Sequence, residues 1–413
     1  MIGLNFQIRC LTGLEHVTEM KDKNERPNNS KTESGTKICL ITDFFEEGRG
    51  GYILNHNLIQ VLGSIFNGKS NVLVVNSNFQ FYSNLMIFRV ARVLIIELLN
   101  TFRLIKLSKA SCIVFFNFGG SRFLPMLAAR MLHKKSVYLV SGLAGGELKT
   151  VSSFLYRRSV FGVGATLLSS VLSCFEQINY SLADLIVAES PFLIHQISSS
   201  KHPFRPIVDG ALFVDTECFS PKIELSQRAE VISYFGALAE HKGLMNFVEA
   251  VPQILKQRID VKFTIGGGPE SMLPVIERRV KELLGDENPA VVLLGRVAHA
   301  QMPNYLNETK LVVLPSYGEG LPNIVLEAMA CGTPVLATRC GGIPDVIRDG
   351  ENGFIMEDNS PQCIARNVIR SLNHPSLEEV ALNARHLVER DYSHYSAEKR
   401  YRKILNEVSN MYK

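Results

Sequence analysis

Short runs of consecutive apolar residues, each followed by a longer stretch with helical spacing, recur along this chain. In the first half they are KICLITDFF (37–45), NVLVVN (71–76), CIVFFNF (112–118), SVYLVS (136–141), DLIVAES (184–190) and RPIVDG (205–210). Helical patterns lie between them at 51–66, 85–107, 122–133 and 165–183. The rhythm repeats with VISYFG (231–236), VKFTIGG (261–267), VVLLG (291–295), LVVLPS (311–316) and PVLAT (334–338). Helices are predicted at 243–257, 269–284, 299–308, 322–331 and 361–372. A strand that is apolar throughout must be covered on both faces, and strand–helix alternation achieves this by winding helices over a parallel sheet. The chain is therefore α/β. Its 413 residues exceed one core and suit two domains of about 150–200 residues each.

Residues 1–35 turn polar and turn-rich toward their end and are expected to be a disordered tail. The polar stretch FVDTECFSPKIELSQ (213–227) reads as the link between halves. This divides the chain into a first domain at 36–215, a second at 216–388 and a terminal helical segment at 389–413. No short repeat is present, which excludes a solenoid.

Composition narrows the function classes. The chain is 46% hydrophobic and 20% charged with a net charge of +4, too little to mark a nucleic-acid binder. No run of about 18 apolar residues occurs, and the N-terminus lacks the pattern of a secretory leader. The eight cysteines form no Cys-x-x-Cys pair, and most lie in apolar runs, as reduced buried thiols of a cytoplasmic protein do. Histidines and carboxylates show no ligand spacing, so no metal is expected. Charge is uneven: from Val61 to Tyr180 there are 13 Lys/Arg against three acids, a local +10. That excess fits either a solvated basic face or a surface for anionic headgroups or a phosphate-bearing acceptor. Within it, LMIFRVARVLIIELLNTFRLIKL (85–107) fits either a core helix with one basic face or an interfacial helix.

The chemistry concentrates in PSYGEGLPNIVLEAMACGTPVLATRCGGIPDVIRDGENGFI (315–355). A strand ends, a glycine turn follows, and a helix begins near Pro322, a residue favoured in a first turn. The turn Gly318-Glu319-Gly320-Leu321 thus offers backbone N–H groups at a helix N-terminus, where an anion is stabilised. Glu319 lies in the turn and Glu327 on the helix; as acceptors, both suit sugar hydroxyls at two ends of one elongated ligand. Gly236-Ala237-Leu238-Ala239-Glu240-His241-Lys242-Gly243 is a second strand-to-helix turn that places Lys242 where a diphosphate would meet a point charge. Gly266-Gly267-Gly268-Pro269 is a third such turn, and Gly48-Arg49-Gly50-Gly51 follows the first strand. His241 and His299 are expected in ordinary surface or capping positions.

The Glu-x7-Glu inside EGLPNIVLEAMACGTPV, followed by GGIPDVI and ENGF, resembles the donor-site signature of family-4-type retaining glycosyltransferases. The likeness runs in order over about 37–410 and includes LGRV (294–297) and the helix after ERDYSHYS (389–396). It implies the GT-B fold, two Rossmann-like domains facing across a cleft, with the last helix crossing back to the first domain. It also implies a nucleotide-sugar donor and a glycan or lipid-linked acceptor. The basic first domain in its own right suits peripheral membrane contact, and no metal or nucleic acid is expected. By position, Lys242 contacts the diphosphate and Glu319 the transferred sugar; the amides of Gly320 and Leu321, just before Pro322, hold phosphate. Glu327 takes the ribose hydroxyls. Arg296 and Val297 line the base pocket, largely by backbone; Gly236 and Gly268 belong to the donor-binding turns, and Gly50 and Gly51 face the diphosphate and acceptor. The chain departs from the pattern twice. Ala237 stands where an Arg usually follows the glycine, leaving Arg49 or Arg339 to compensate. VSGLAGGELKT (140–150) holds no His where one is common.

Overall fold

A computed structural model describes residues 37–42, 52–65, 72–76, 86–106, 112–117, 122–141, 174–199, 206–210, 212–285 and 289–410. The expected tail, the Arg49-Gly50-Gly51 turn and residues 142–150 of the segment without a His lie outside them.

Two six-stranded sheets, all pairs parallel, form the framework. The first has the order β2-β1-β3-β4-β5-β6. Its strands are β1 (Lys37–Thr42), β2 (Val72–Asn76), β3 (Cys112–Asn117), β4 (Lys135–Val140), β5 (Leu185–Ala188) and β6 (Ile207–Asp209). Helices α1 (Tyr52–Ile65), α2 (Met86–Lys106), α3 (Phe123–Met131), α4 (174–182) and α5 (Pro191–Ser199) connect them. The second sheet has the order β12-β11-β10-β7-β8-β9. Its strands are β7 (Val231–Phe235), β8 (Lys262–Gly266), β9 (Val291–Gly295), β10 (Leu311–Leu314), β11 (Val335–Thr338) and β12 (Phe354–Met356). Around it run α6 (Leu244–Leu255), α7 (Leu273–Leu284), α8 (Met302–Glu308), α9 (Asn323–Ala330), α10 (Ile343–Val346), α11 (Pro361–Leu372) and α12 (Leu377–Asp391).

The strands are apolar on both faces because both faces are packed. On the second sheet Ile232, Phe263, Ile265, Leu311 and Val313 point into one core, and Phe235, Val312, Leu314 and Val335 into the other. Local chemistry sets the helix starts where it is strong: Ser360 accepts the Cys363 N–H and Pro361 opens α11. Neither β12 nor α12 is foreseen from sequence. A three-residue strand is too short to show alternation, and α12 follows α11 after only four residues. Among the cysteines whose side chains are described none forms a disulfide; Cys39, Cys331 and Cys363 are buried as expected, whereas Cys174 and Cys218 are exposed.

The last helix, α13 (His394–Asn410), leaves the second domain and packs on the first. Tyr401, Ile404 and Val408 join the core formed by Leu40, Val61 and Phe115, and Lys135 donates to the Ser409 carbonyl at 2.7 Å. Arg400 donates to the Leu212 carbonyl at 2.9 Å and to Asp391, tying this crossing to the link between domains.

One buried cation anchors the start of the second domain. Arg228, 6% exposed, donates to the carbonyls of Ile223, Leu306, Thr309 and Cys331 and to the Thr333 hydroxyl. Truncation leaves several acceptors buried and unsatisfied. Arg228→Ala is expected to cost about 3 kcal/mol of stability, read as a lower urea midpoint at unchanged slope.

Candidate active site

In the second sheet strand order reverses between β7 and β10, and a crevice opens at their carboxyl ends. Both loops that leave this point carry predicted site residues. After β7, the chain runs through Gly236 and a 3-10 turn at Glu240–Lys242 into α6. After β10 it runs through Ser316 and Glu319 into α9. Gly243 joins the two: its φ is +70°, and a Cβ there would lie 1.9 Å from the Pro315 carbonyl oxygen. Only glycine lets the loops approach so closely. Tyr317 N–H donates to the His241 carbonyl at 3.0 Å across the same seam.

This seam brings Lys242 and Glu319 together. The ammonium donates to Glu319 Oε2 at 2.7 Å, and Ser316 donates to Oε1 at 2.6 Å. Both charged side chains are largely buried, so each is the other's compensation. Among the described residues no hydrogen bond engages the N–H groups of Glu319, Gly320 or Leu321, the donors expected to hold phosphate. Leu321 itself is buried in the core, and Pro322 precedes α9. Cys340, near the pair, is no thiolate nucleophile at neutral pH, because burial pushes its thiol up to about 11.

Glu327 lies one helix further in and is 5% exposed. His299, against expectation, is not a plain surface or capping residue: its Nε2 lies 2.9 Å from Glu327 Oε1. A carboxylate only accepts, so Nε2 carries the proton. The Phe219 ring, centroid 5.2 Å away, packs on the imidazole. Three loops close the far side. Leu238 N–H donates to the Gly268 carbonyl at 2.7 Å, Gly236 N–H to Gly266 at 3.1 Å, and Gly267 N–H to Gly295 at 2.7 Å. Arg296 and Val297 pack against this cluster, the guanidinium over Gly268 and the Val297 methyl over Gly266. The Arg296 side chain, not only its backbone, thus forms the wall. Ala237 is exposed at the mouth, its carbonyl accepting from Tyr234 at 2.6 Å.

The first domain supplies the opposite wall. Gly320 approaches the chain just after β4 so closely that a Cβ would lie 2.3 Å from the Ser141 carbonyl oxygen. Buried Glu189, after β5, places Oε2 3.7 Å from that same Cβ position. Gly342 N–H donates to the Gly320 carbonyl at 2.6 Å, and Asp345 accepts the Phe192 N–H of α5 at 2.8 Å. Sequence reasoning missed Glu189, Asp345 and the His299 contact. Each depends on a neighbour from a distant segment, and only GGIPDVI carried a signal. Among the described residues no group of three His, Cys, Asp or Glu is placed to hold a metal ion. No described helix is long and apolar enough to cross a membrane.

Residues 229–374 match the family model described as glycosyl transferases group 1. The chain is 28% identical over 62% of its length to the Staphylococcus aureus capsular polysaccharide biosynthesis glycosyltransferase CapM, covering 66% of that protein. It is 25% identical over 68% of its length to the Bacillus anthracis N-acetyl-alpha-D-glucosaminyl L-malate synthase, covering 71% of it. In other relatives the match spans about half of the relative's length or less, 47% and 39% in two of them. Among solved structures, sucrose-phosphate synthase from Thermosynechococcus elongatus superposes with a TM-score of 0.70 at 16% identity, over 90% of this chain and 99% of that one. Anabaena HepE in complex with UDP and glucose gives 0.66 at 15% identity, over 90% and 99%. Residues 229–374 thus resemble glycosyl transferases group 1, and the chain has the GT-B fold of two Rossmann-like domains.

Proposed function

We propose that this chain is a glycosyltransferase that moves a hexosyl or related group from a nucleotide diphosphate sugar to a glycan or lipid-linked acceptor. Configuration is retained. The observation that carries the reading is the Lys242–Glu319 pair at the β7/β10 crevice, one charge for a diphosphate and one acceptor for a sugar. The relatives' names point to the synthesis of cell-surface polysaccharide or glycolipid. In this reading the enzyme works in the cytoplasm, at the inner face of the membrane.

In this reading the donor takes over contacts that the site now makes with itself. Lys242 turns from Glu319 to the diphosphate, the amides of 319–321 meet phosphate oxygens, and Glu319 accepts from sugar hydroxyls. Glu327, steadied by His299, accepts from the ribose. The bond from the anomeric carbon to the diphosphate breaks while the acceptor oxygen bonds on the same face. The acceptor's proton passes to the leaving phosphate oxygen, so no His is required near Ser141. Negative charge on the leaving group is met by the chain's own cation and helix end, without a metal. A second reading, a homologue that binds nucleotide without turnover, draws on Ala237, which forgoes a cation worth about 10²–10³ in rate.

With a panel of nucleotide sugars, transfer or donor hydrolysis is expected from the wild type in EDTA. Lys242→Ala and Glu319→Ala are expected to be at least tenfold slower. Equal rates in the variants would remove the pair from the mechanism, and tight nucleotide binding without turnover would favour the second reading. Calorimetry with the matching nucleoside diphosphate is expected to show about tenfold weaker binding for His299→Ala and most of it restored in His299→Gln, which can still donate. A variant that loses thermal stability but binds as the wild type would make the contact structural only.

A further inference from the structure

The helix α2 is built with its polarity reversed. Its inward face carries Glu97 and Asn100 beside Ile96 and Leu104, all buried. Glu97 is turned inward by a specific demand: its Oε2 accepts the Leu124 N–H at 2.8 Å, closing the open N-terminal end of α3. The outward face carries Leu94, Leu98, Phe102 and Ile105 at helical spacing, each between 48% and 60% exposed, with Leu99 beside them. A helix on a protein that meets only water shows the opposite arrangement. Sequence allowed a core helix with one basic face; the structure keeps Ile96 and Leu104 inside but places Leu94, Leu98, Phe102 and Ile105 outside.

Charge identifies what this face meets. Helices α2 and α3 contain five cations, Arg89, Arg92, Arg103, Lys106 and Arg130, and a single acid, the buried Glu97. Lys106 stands at the rim of the apolar stripe, its ammonium 4.6 Å from the centroid of the Phe102 ring. The surrounding stretch from Val61 to Tyr180 carries a net +10. A second copy of this face would press one set of cations against another. An acidic protein surface would answer the cations but leave the leucine and phenylalanine stripe in water. A fluid apolar layer under anionic headgroups answers both.

We propose that the outward face of α2 docks this chain on a membrane surface containing anionic phospholipid, with Leu94, Leu98, Phe102 and Ile105 entering the acyl boundary and Lys106 and Arg130 at headgroup level. It gives the lipid-linked acceptor reading a definite surface, yet stands independently of the donor site. The chain has no tryptophan, so Phe102→Trp supplies a single reporter in the full protein. Its emission is expected to shift to the blue on vesicles of phosphatidylcholine mixed with phosphatidylglycerol, not on phosphatidylcholine alone, and salt should reverse the shift. In co-sedimentation, the Leu98→Ser, Phe102→Ser, Ile105→Ser triple variant should bind the mixed vesicles at least tenfold more weakly than the wild type, at an unchanged thermal midpoint. Lys106→Glu with Arg130→Glu is expected to weaken binding about tenfold without touching the apolar stripe. Donor hydrolysis in solution should be the same in all of them, which separates this surface from the transfer reaction. Failure of the wild type to bind mixed vesicles, equal binding by both variants, or self-association that the triple variant abolishes without any vesicle binding would overturn the proposal.

Discussion

The ion pair between Lys242 and Glu319 is where the constraints of this molecule meet. Each residue hangs from a different strand, and the pair forms only because β7 and β10 are neighbours across the reversal of strand order. At that point successive crossovers diverge, leaving a crevice that no helix fills. The two loops would splay apart if nothing held them. Gly243 against Pro315 and the Tyr317–His241 backbone bond hold them, and in a low-dielectric crevice the two charges then satisfy each other. In the proposed function the pair is an internal placeholder: a ligand enters only if it offers an anion to the lysine and donors to the carboxylate at once. This is a specificity device in itself, since a ligand with one of the two leaves a desolvated charge behind.

The same logic extends to the seam between domains. Gly320 is pressed on the Ser141 carbonyl, and Asp345 caps α5 of the opposite domain through the Phe192 N–H. The loop that holds Glu319 therefore also touches the first domain, so the position of one domain and the geometry of Glu319 are not separate variables. Behind the seam, Arg385 bonds the carbonyls of Thr216, Phe219 and Ala330, and Arg400 bonds Leu212. Phe219, fixed by this clamp, is the residue whose ring rests on His299. A continuous path of contacts runs from the link between domains to the buried carboxylate Glu327.

Much of this was legible in the residue order, for a physical reason. Strands buried on both faces must be apolar at every position, and the close approaches at strand ends must be glycine, so KICLIT, LVVLP and the turns at 236, 266 and 318 announce themselves. Glu319 and Lys242 were readable because they sit inside such turns. What stayed hidden was set by partners far along the chain. Nothing near His299 indicates that Glu327 will lie beside it, and nothing near Glu189 or Asp345 indicates the facing backbone of the other domain. β12 is three residues long and draws its stability from pairing with β11, which leaves no local imprint.

The helix α2 shows the deeper limit. Periodicity reveals that its residues divide into two faces, but it does not say which face turns inward. That choice was made by α3, whose first N–H groups needed an acceptor, and by Glu97, the one residue on α2 able to supply a carboxylate. Once Glu97 is committed inward, helical geometry carries Leu98, Phe102 and Ile105 to the outside whatever their hydrophobicity. An apolar face kept in water at the expense of a single buried hydrogen bond would be poor design for a chain that lives wholly in solution. The arrangement is balanced only if something apolar meets that face, and the anionic bilayer proposed above would answer the cations around it as well.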